Sequence, residues 1–178
     1  NKEERRKFKH APRFTPAGQS TQLIIGATPD SDKNILQLAG SLYNSKKLKR
    51  VYYSGFIPVN DYDKRLPALS EPPLKRENRL YQADWLFRFY GFSMHEIVND
   101  DYPDLDLEID PKLSYALRNP WVFPVDINKA SFEAILRVPG IGVISAKKII
   151  LARRYKILNM NNLKKIGVVL KRAKYFIT

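Results

Sequence analysis

The chain has 178 residues, 44% of them hydrophobic, so it is large and apolar enough to bury a core and is not a disordered tail. Its formal charge of +13 and pI near 9.9 indicate a polyanionic partner, either a nucleic acid or an anionic membrane surface. The sequence contains no cysteine, which excludes disulfides, thiol catalysis and Cys-ligated metal centres within these residues. It also contains no apolar run of membrane-spanning length.

The first 74 residues predict a strand, a helix and a second strand. A basic lead-in over residues 1–13 precedes a short β-branched run at 21–27, which is typical of a buried strand. Residues 28–31 offer helix caps, and the helix that follows has its inward positions at Ile35, Leu38, Ala39 and Leu42. A second strand at 50–57 completes a βαβ unit with parallel strands. Because a parallel pair needs cover on both faces, we expect a missing part of a longer chain, or another chain, to complete the sheet.

Residues 75–124 predict a helical connecting region. Its first helix, over residues 75–90, carries aromatic side chains that are more typical of a core than of a ligand platform. The polar side chains to test against a cleft on this helix are Gln82, Asp84 and Arg88. A later helix is predicted over residues 111–118, with Asp110 before Pro111 as its cap.

An acidic stretch over residues 99–110 contains six carboxylates and no base. It lacks the ligand order and the central glycine of an EF-hand, so a solvated acidic loop is favoured over a Mg²⁺ or Ca²⁺ site. The alternation of Leu105, Leu107 and Ile109 with acids also permits a short extended edge. The two histidines of the chain are isolated and indicate neither a metal site nor a catalytic triad.

The segment at residues 131–154 predicts two short helices around a tight turn. Ser131 is a favourable N-cap for the first helix, and Pro139 with Gly140 ends it. The second helix is predicted to turn an apolar face inward, formed by Ala146, Ile149 and Ile150. Its polar positions are then left for solvent or a partner: Ser145, Lys147, Lys148, Arg153 and Arg154.

Two glycines in the turn indicate that an anion approaches the backbone closely. Gly140 and Gly142 lack a Cβ, so the loop is expected to adopt positive φ and to admit a ligand. Ile141 between them is predicted to anchor the loop in the core. The N–H groups of the loop and of the following helix then point at one spot, which favours an anion. With Lys147 and Lys148 on the next turn, nucleic-acid phosphate is the expected anion.

The hairpin recurs in a weaker form 27 residues later. Gly140, Ile141, Ala146 and Lys147 correspond to Gly167, Val168, Ala173 and Lys174. Two such hairpins can pack their apolar faces together. Val169 stands where the counterpart of Gly142 is expected, and a β-branched residue disfavours positive φ. We therefore expect the second hairpin mainly to support packing, while charge is added by Lys171, Arg172 and Lys174.

The run VPGIG at residues 138–142, the inward Ala146 and the pair Ile149 and Ile150 together resemble the helix-hairpin-helix motif of DNA repair and DNA uptake proteins. The lead-in at residues 125–131 is also similar to that of the family. The resemblance and the repeat mark these DNA-binding candidates: Val138, Gly140, Ile141, Gly142, Ser145, Lys147, Lys148, Gly167, Lys171, Arg172 and Lys174. An ordinary helical hairpin with a Gly-rich turn is the alternative.

Further segments carry a second resemblance, which covers nearly the whole chain from residue 14: residues 16–28, Asp32, and residues 52–59, 79–86, 110–113 and 167–177. They resemble the C-terminal part of bacterial radical-SAM proteins that end in a helix-hairpin-helix segment and are associated with DNA modification or repair. The resemblance implies that residues 1–74 form the C-terminal βαβ part of a (β/α) barrel. It also implies a missing N-terminal barrel half as the partner that completes the sheet.

The same resemblance implies S-adenosylmethionine and a 4Fe–4S cluster for the parent protein. The three cysteines that hold this cluster in the family have no counterpart here, so we expect no cofactor within this chain and no catalysis by the chain alone. Barrel chemistry lies at the C-terminal ends of the strands, which marks Gly26, Ala27, Thr28, Ser54 and Gly55 as candidates for a cofactor or substrate wall. Turn residues required by strand-to-helix geometry are the alternative.

The sequence thus predicts an α/β plus all-α chain: a partial parallel (β/α) barrel at 1–74, a connecting region at 75–124, and a tandem helix-hairpin-helix domain at 125–178. Between residues 126 and 178 twelve Lys and Arg oppose two acids, which favours DNA as the partner and no membrane.

The predicted function is binding of duplex DNA by a phosphate clamp, without sequence preference and with steep salt dependence. A non-enzymatic module that binds RNA or docks an acidic protein is the alternative. We expect a cytoplasmic location. The first residue is Asn1 rather than Met, which suggests a piece of a longer chain or a processed product.

Overall fold

The structure, a computed structural model, describes residues 2–8, 10, 16–45, 48–59, 62–68 and 71–178. Parts of the predicted lead-in and of the loops around both strands lie outside the described residues. The elements follow in the order α1 Lys2–Lys7, β1 Gln19–Ile25, α2 Asp32–Asn44, β2 Leu48–Gly55, α3 Leu74–Phe89, α4 Met94–Ile97, α5 Pro111–Arg118, a 3-10 helix Pro120–Val122, α6 Phe132–Arg137, α7 Val143–Ala152, α8 Met160–Ile166 and α9 Leu170–Ala173.

The βαβ unit forms as predicted, because β1 and β2 pair in parallel and helix α2 connects them. Ile24 lies opposite Ser54 and Ile25 opposite Gly55, so the carboxyl ends of the two strands lie side by side. Both strands begin and end two residues earlier than the apolar runs predict. Within the described residues the sheet consists of these two strands, and they do not form a barrel. The fold is mixed α/β, with helical hairpins at its C-terminal end.

One face of the strand pair is covered and the other is open. Val51 and Tyr53 are buried in the first hydrophobic cluster, whereas Ile24 and Tyr52 are 47% and 43% exposed on the other face. The prediction that Leu38 faces inward is wrong, since Leu36 takes the buried position on α2 and Leu38 lies in the open beside Ile24. The open face therefore carries two exposed apolar side chains, Ile24 and Tyr52, next to the exposed Leu38 of α2.

The start of α2 is fixed by a buried carboxylate. Ser31 caps the helix through the N–H of Asn34, and Asp32 accepts hydrogen bonds from Arg76 Nε at 2.6 Å and Leu105 N–H at 2.9 Å. Burial raises the pKa of Asp32 above the usual aspartate value, although these hydrogen bonds oppose the shift. The bond to Leu105 ties the acidic stretch to α2.

The acidic stretch itself forms turns rather than an extended edge. Its carboxylates accept local backbone N–H groups or pair with lysines, as Glu108 does with Lys75 and Asp100 with Lys33. In the described part of the chain, no group of three ligating side chains is placed to hold a metal ion. The contacts of these carboxylates agree with the polar loop that the sequence favours.

Helix α3 buries Leu80, Ala83 and Leu86, and it ends before Gly91, which has a φ of +67°. Its aromatic residues do not all join the core as predicted, because Trp85 and Phe89 are 53% and 48% exposed. The two rings contact each other with centroids 4.5 Å apart. Half of this aromatic surface is therefore available to a ligand.

Two hydrophobic clusters organise the chain, one around the strand pair and one within residues 125–177. Tyr90 and Phe123 pack against both clusters. Arg137 of α6 adds two hydrogen bonds to the carboxylate of Glu96, at 2.9 and 3.0 Å. None of the helices that the structure describes is long and apolar enough to cross a bilayer.

Candidate nucleic-acid interface

The first hairpin consists of α6, a turn and α7, as the sequence predicts. Ser131 caps α6 by accepting a hydrogen bond from the N–H of Ala134 at 3.2 Å. Ile141 is 1% exposed and its N–H donates to the carbonyl of Val138, so it anchors the turn in the core as predicted. Ile141 therefore holds the turn from the core side. The outer edge of the turn is formed by the backbone of residue 142 and the start of α7.

Gly140 is required by the packing of the two hairpins. Its φ is +86°, and a Cβ at this position would lie 2.7 Å from the carbonyl oxygen of Val169. The carbonyl of Gly140 accepts a hydrogen bond from the N–H of Val169 at 3.0 Å. The turn of the first hairpin thus rests directly on the turn of the second.

Gly142 has a different environment. The prediction of positive φ is correct for Gly140 but wrong for Gly142, which has φ −95° and ψ 171° because it is the extended N-cap of α7. A Cβ there would meet only the hydroxyl of Tyr90, at 3.5 Å, which is an ordinary contact. Neither backbone strain nor internal packing requires a glycine at this position, where glycine is also a favourable N-cap, and the absence of a side chain leaves the start of α7 accessible.

The start of α7 presents unpaired backbone donors. The first helical hydrogen bond runs from the N–H of Ala146 to the carbonyl of Gly142, at 2.8 Å. The N–H groups of Val143, Ile144 and Ser145 precede it and have no acceptor inside the helix. Together with the positive end of the helix dipole, these donors favour an anion. Lys147 and Lys148 on the next turn are both exposed, which adds positive charge.

Several predicted contact residues support the hairpin from within. The prediction that Ser145 and Arg153 face solvent or a partner is wrong: Ser145 is buried and donates to the carbonyl of Gly167, and Arg153 donates to the carbonyls of Ile127 and Ala130. Val138 is buried, with its N–H bound to the carbonyl of Ile135. The helical phase of α7 turns Ser145 towards the second hairpin.

The second hairpin forms from α8 and α9, and its apolar residues share one cluster with the first. Three donors of its turn are already used: the N–H of Val168 binds the carbonyl of Leu163, that of Val169 binds Gly140, and that of Leu170 binds Val168. Val169 has a φ of −77°, so the fold at this position does not need the positive φ on which the prediction was based. Lys171 and Lys174 are exposed, while Arg172 pairs with Asp110.

Lys112 is a residue of this region that sequence reasoning missed. It lies at the start of α5, is 8% exposed, and donates from Nζ to the carbonyl of Ile141 at 2.5 Å. Its Nζ also lies 4.9 Å from the centre of the Tyr90 ring. Burial lowers the pKa of Lys112 to about 7, an effect that Asp110 opposes and that Arg172 and Arg137 reinforce. A lysine on a short helix gives no sequence signal for such burial.

The strand-end candidates lie beside one another, but they differ in role. Gly26, with a φ of +87°, lines a pocket of about 310 Å³ with Ala27 and Thr28. Ser54 and Gly55 lie at the end of β2, opposite Ile24 and Ile25. Gly55 is buried, and its N–H donates to the carboxylate of Glu77 at 2.7 Å. This hydrogen bond gives Gly55 a structural role in joining β2 to α3.

Comparison with protein families identifies a helix-hairpin-helix motif at residues 123–173. This range includes α6, α7, α8 and α9, and therefore both hairpins. Motifs of this kind are commonly nucleic-acid-binding, which supports DNA binding in general. Comparisons with curated proteins and with solved structures give no match, and none of the comparisons supports a radical-SAM relationship.

Proposed function

We propose that this chain binds duplex DNA without sequence preference by holding a backbone phosphate at the start of α7. The N–H groups of Val143 and Ile144 act as donors to the phosphate, and Lys147 with Lys148 contributes charge. The observation that carries the proposal is Gly142, a glycine that neither backbone conformation nor internal packing demands. A phosphate that approaches these donors closely needs the space that a side chain at this position would occupy.

Contacts of this kind fix the position of a protein on DNA but carry no information about sequence. Their strength comes largely from release of counterions, so affinity should fall linearly on a log–log plot against salt. The second hairpin supports the first by packing, because its own loop donors are occupied. Lys171 and Lys174 contribute charge to the same basic region.

The test is the affinity of the chain for a duplex, measured by fluorescence anisotropy for wild type, Gly142→Ala and Gly142→Val. The added side chain obstructs the phosphate, and loss of hydrogen bonds to a charged group is expected to weaken binding by about 10- to 100-fold. Gly40→Ala is the matched control, since it also adds a methyl group at a glycine with ordinary φ, on α2. Equal affinity of all variants, with folding verified by circular dichroism, rules out the phosphate clamp.

A second candidate function, docking to a protein, is favoured by the apolar surface of α7 and of the turn that follows it. Ile144, Leu151 and Tyr155 are 72%, 55% and 82% exposed. A partner bound there would form a complex that resists salt and does not respond to Gly142→Val. An RNA-binding module is separated from the DNA proposal by competition between duplex RNA and duplex DNA for the same protein.

The larger context of the chain is also a proposal: a radical-SAM parent that acts on DNA, with the hairpins delivering its barrel to the substrate. The parallel βαβ unit and the exposed apolar side chains of Ile24 and Leu38 support it, because a barrel half packed there would cover them. With no cysteine, the chain does not provide the ligands of a 4Fe–4S cluster. Gly26, Ala27 and Thr28 remain candidates for a cofactor wall, and Ser54 with Gly55 for its neighbouring strand end.

This context is tested by sequencing the reading frame upstream of residue 1. Three cysteines at cluster spacing ahead of a barrel pattern would support the parent enzyme. Their absence would remove the enzyme and its S-adenosylmethionine chemistry while leaving the DNA-binding proposal unaffected.

A further inference from the structure

A pocket of about 260 Å³ lies where α3, the start of α5 and α9 meet. The indole of Trp85 lines it from α3, and this ring is 53% exposed. Gln82, Tyr90 and Lys112 line it as well, with Asp110 and Arg172 as an ion pair at its rim. The pocket therefore combines an aromatic wall with a few polar groups, which is the usual make-up of a small-molecule or base-binding site.

The pocket adjoins the proposed phosphate site through two shared contacts. Tyr90 lines the pocket, and its hydroxyl lies 3.5 Å from the position of a Cβ on Gly142. Lys112 lines it too, and donates to the carbonyl of Ile141 in the same turn. A nucleotide whose phosphate lies at the start of α7 is therefore next to the pocket, so the pocket is within reach of the base of the same nucleotide.

The polar groups suit the edge of a nucleobase better than a second phosphate. Lys112 is more than nine-tenths buried, and beyond the N–H donated to the carbonyl of Ile141 its amino group has one further N–H when neutral and two when protonated. A base offers carbonyl oxygens or ring nitrogens as acceptors to the remaining donors without adding a charge. The ion pair of Asp110 and Arg172 adds no net charge that would attract a second phosphate, whereas the face of Trp85 is suited to stacking.

From this arrangement we infer that the pocket bounded by Trp85, Tyr90 and Lys112 receives an unpaired nucleobase of the DNA strand whose phosphate the first hairpin holds. This inference rests on the proposed function, because the phosphate site brings the strand to the pocket. Trp85 stacks on the face of the base and Lys112 binds its acceptor edge. The protein thus prefers duplexes that contain an unpaired nucleotide over fully paired ones.

The test compares three duplexes of identical flanking sequence: fully paired, with a single bulged thymidine, and with an abasic residue in the bulge. Stacking of one base on an aromatic side chain predicts that the thymidine bulge binds about 5- to 100-fold more tightly than the abasic bulge. Trp85→Ala should abolish this preference and Trp85→Phe should restore most of it. Trp121→Ala removes the other exposed tryptophan, in the 3-10 helix, and should retain the full preference.

Fluorescence gives a second readout, because the chain has two tryptophans. In a Trp121→Phe variant Trp85 is the sole tryptophan, and the thymidine bulge should quench its emission more than the abasic bulge does. Equal affinity and equal quenching for the two bulges would overturn the inference, since flexibility of the backbone would then explain any preference. The proposed function fails separately, when paired duplex does not bind or Gly142→Val binds it as wild type does.

Discussion

Lys112 places an amino group in the interior, directly under the turn that leads into α7. Because burial lowers its pKa to about 7, the unfolded chain binds more protons than the folded chain between about pH 7 and the ordinary lysine value of 10.5. The contribution of Lys112 to the free energy of unfolding therefore rises with pH across this interval. Even the neutral amine keeps one N–H beyond that donated to Ile141, so Lys112 can act as the donor proposed for it in the pocket in either protonation state.

We predict that raising the pH from about 7 to about 9.5 shifts the difference in unfolding free energy between wild type and Lys112→Met towards wild type, by about 3 kcal/mol. Denaturant titrations at the two pH values measure this difference. Subtracting the variant cancels the titration of groups that both proteins share. A difference that does not change with pH would show that Lys112 keeps its ordinary pKa.

Substitutions of the two turn glycines should affect stability and duplex affinity in opposite ways. Gly140→Ala should destabilise the fold by about 1–3 kcal/mol, since it combines a positive φ with a close approach to the Val169 carbonyl. Gly142→Ala should cost less than about 1 kcal/mol, because only the N-cap preference changes. Urea unfolding measures both changes in stability. Duplex affinity should show the opposite order, with the larger loss for Gly142→Ala. Equal destabilisation by the two substitutions would contradict the separate roles.

At the scale of elements, the hairpins are related by sequence but differ in the use of their backbone. Val169→Gly restores the glycine that the second turn lacks. We predict no gain in duplex affinity and no steeper salt dependence, because the N–H groups of Val168, Val169 and Leu170 are already bound inside the protein. Anisotropy titrations of this variant at several salt concentrations measure both quantities. A clear gain in affinity would mean that the Val169 side chain alone had kept a second phosphate away.

The elements themselves were largely predictable from the sequence. The caps Ser31, Asp110 and Ser131 mark three helix starts correctly, since each side chain accepts a backbone N–H within its own first turn. The βαβ unit followed from its apolar runs. Local signals of this kind are written in neighbouring residues, so no long-range information is needed to read them.

What the sequence did not predict depends on contacts between distant segments. The conformation of Gly142 and the burial of Ser145 are set by how the first hairpin packs against α8, α9 and Tyr90. The burial of Lys112 depends on a carbonyl 29 residues away. The exposure of Trp85 depends on which side of α3 packs against β2 and α5. The pocket beside the hairpin therefore appears only when these segments meet.

On the scale of the whole molecule, charge and packing are distributed differently. The two hydrophobic clusters meet through Tyr90, Phe123 and the Arg137–Glu96 pair, so both halves of the described chain support the position of the first hairpin. The net positive charge, by contrast, is concentrated in the hairpin segment, where twelve Lys and Arg oppose two acids. A chain with this net charge attracts DNA over its whole surface, and the question is how much of the binding is local.

The salt dependence of binding answers this question when two equal charge changes are compared. Lys147→Gln with Lys148→Gln removes two exposed cations beside the proposed phosphate site, and should lower the log–log salt slope by about 2, since each phosphate contact contributes close to one unit. Lys49→Gln with Arg50→Gln removes two exposed cations from β2 and changes net charge equally. It should leave the slope nearly unchanged, because those cations release no counterions from the bound phosphates. If both double variants lower the slope by the same amount, diffuse attraction to the whole chain replaces the hairpin as the source of affinity.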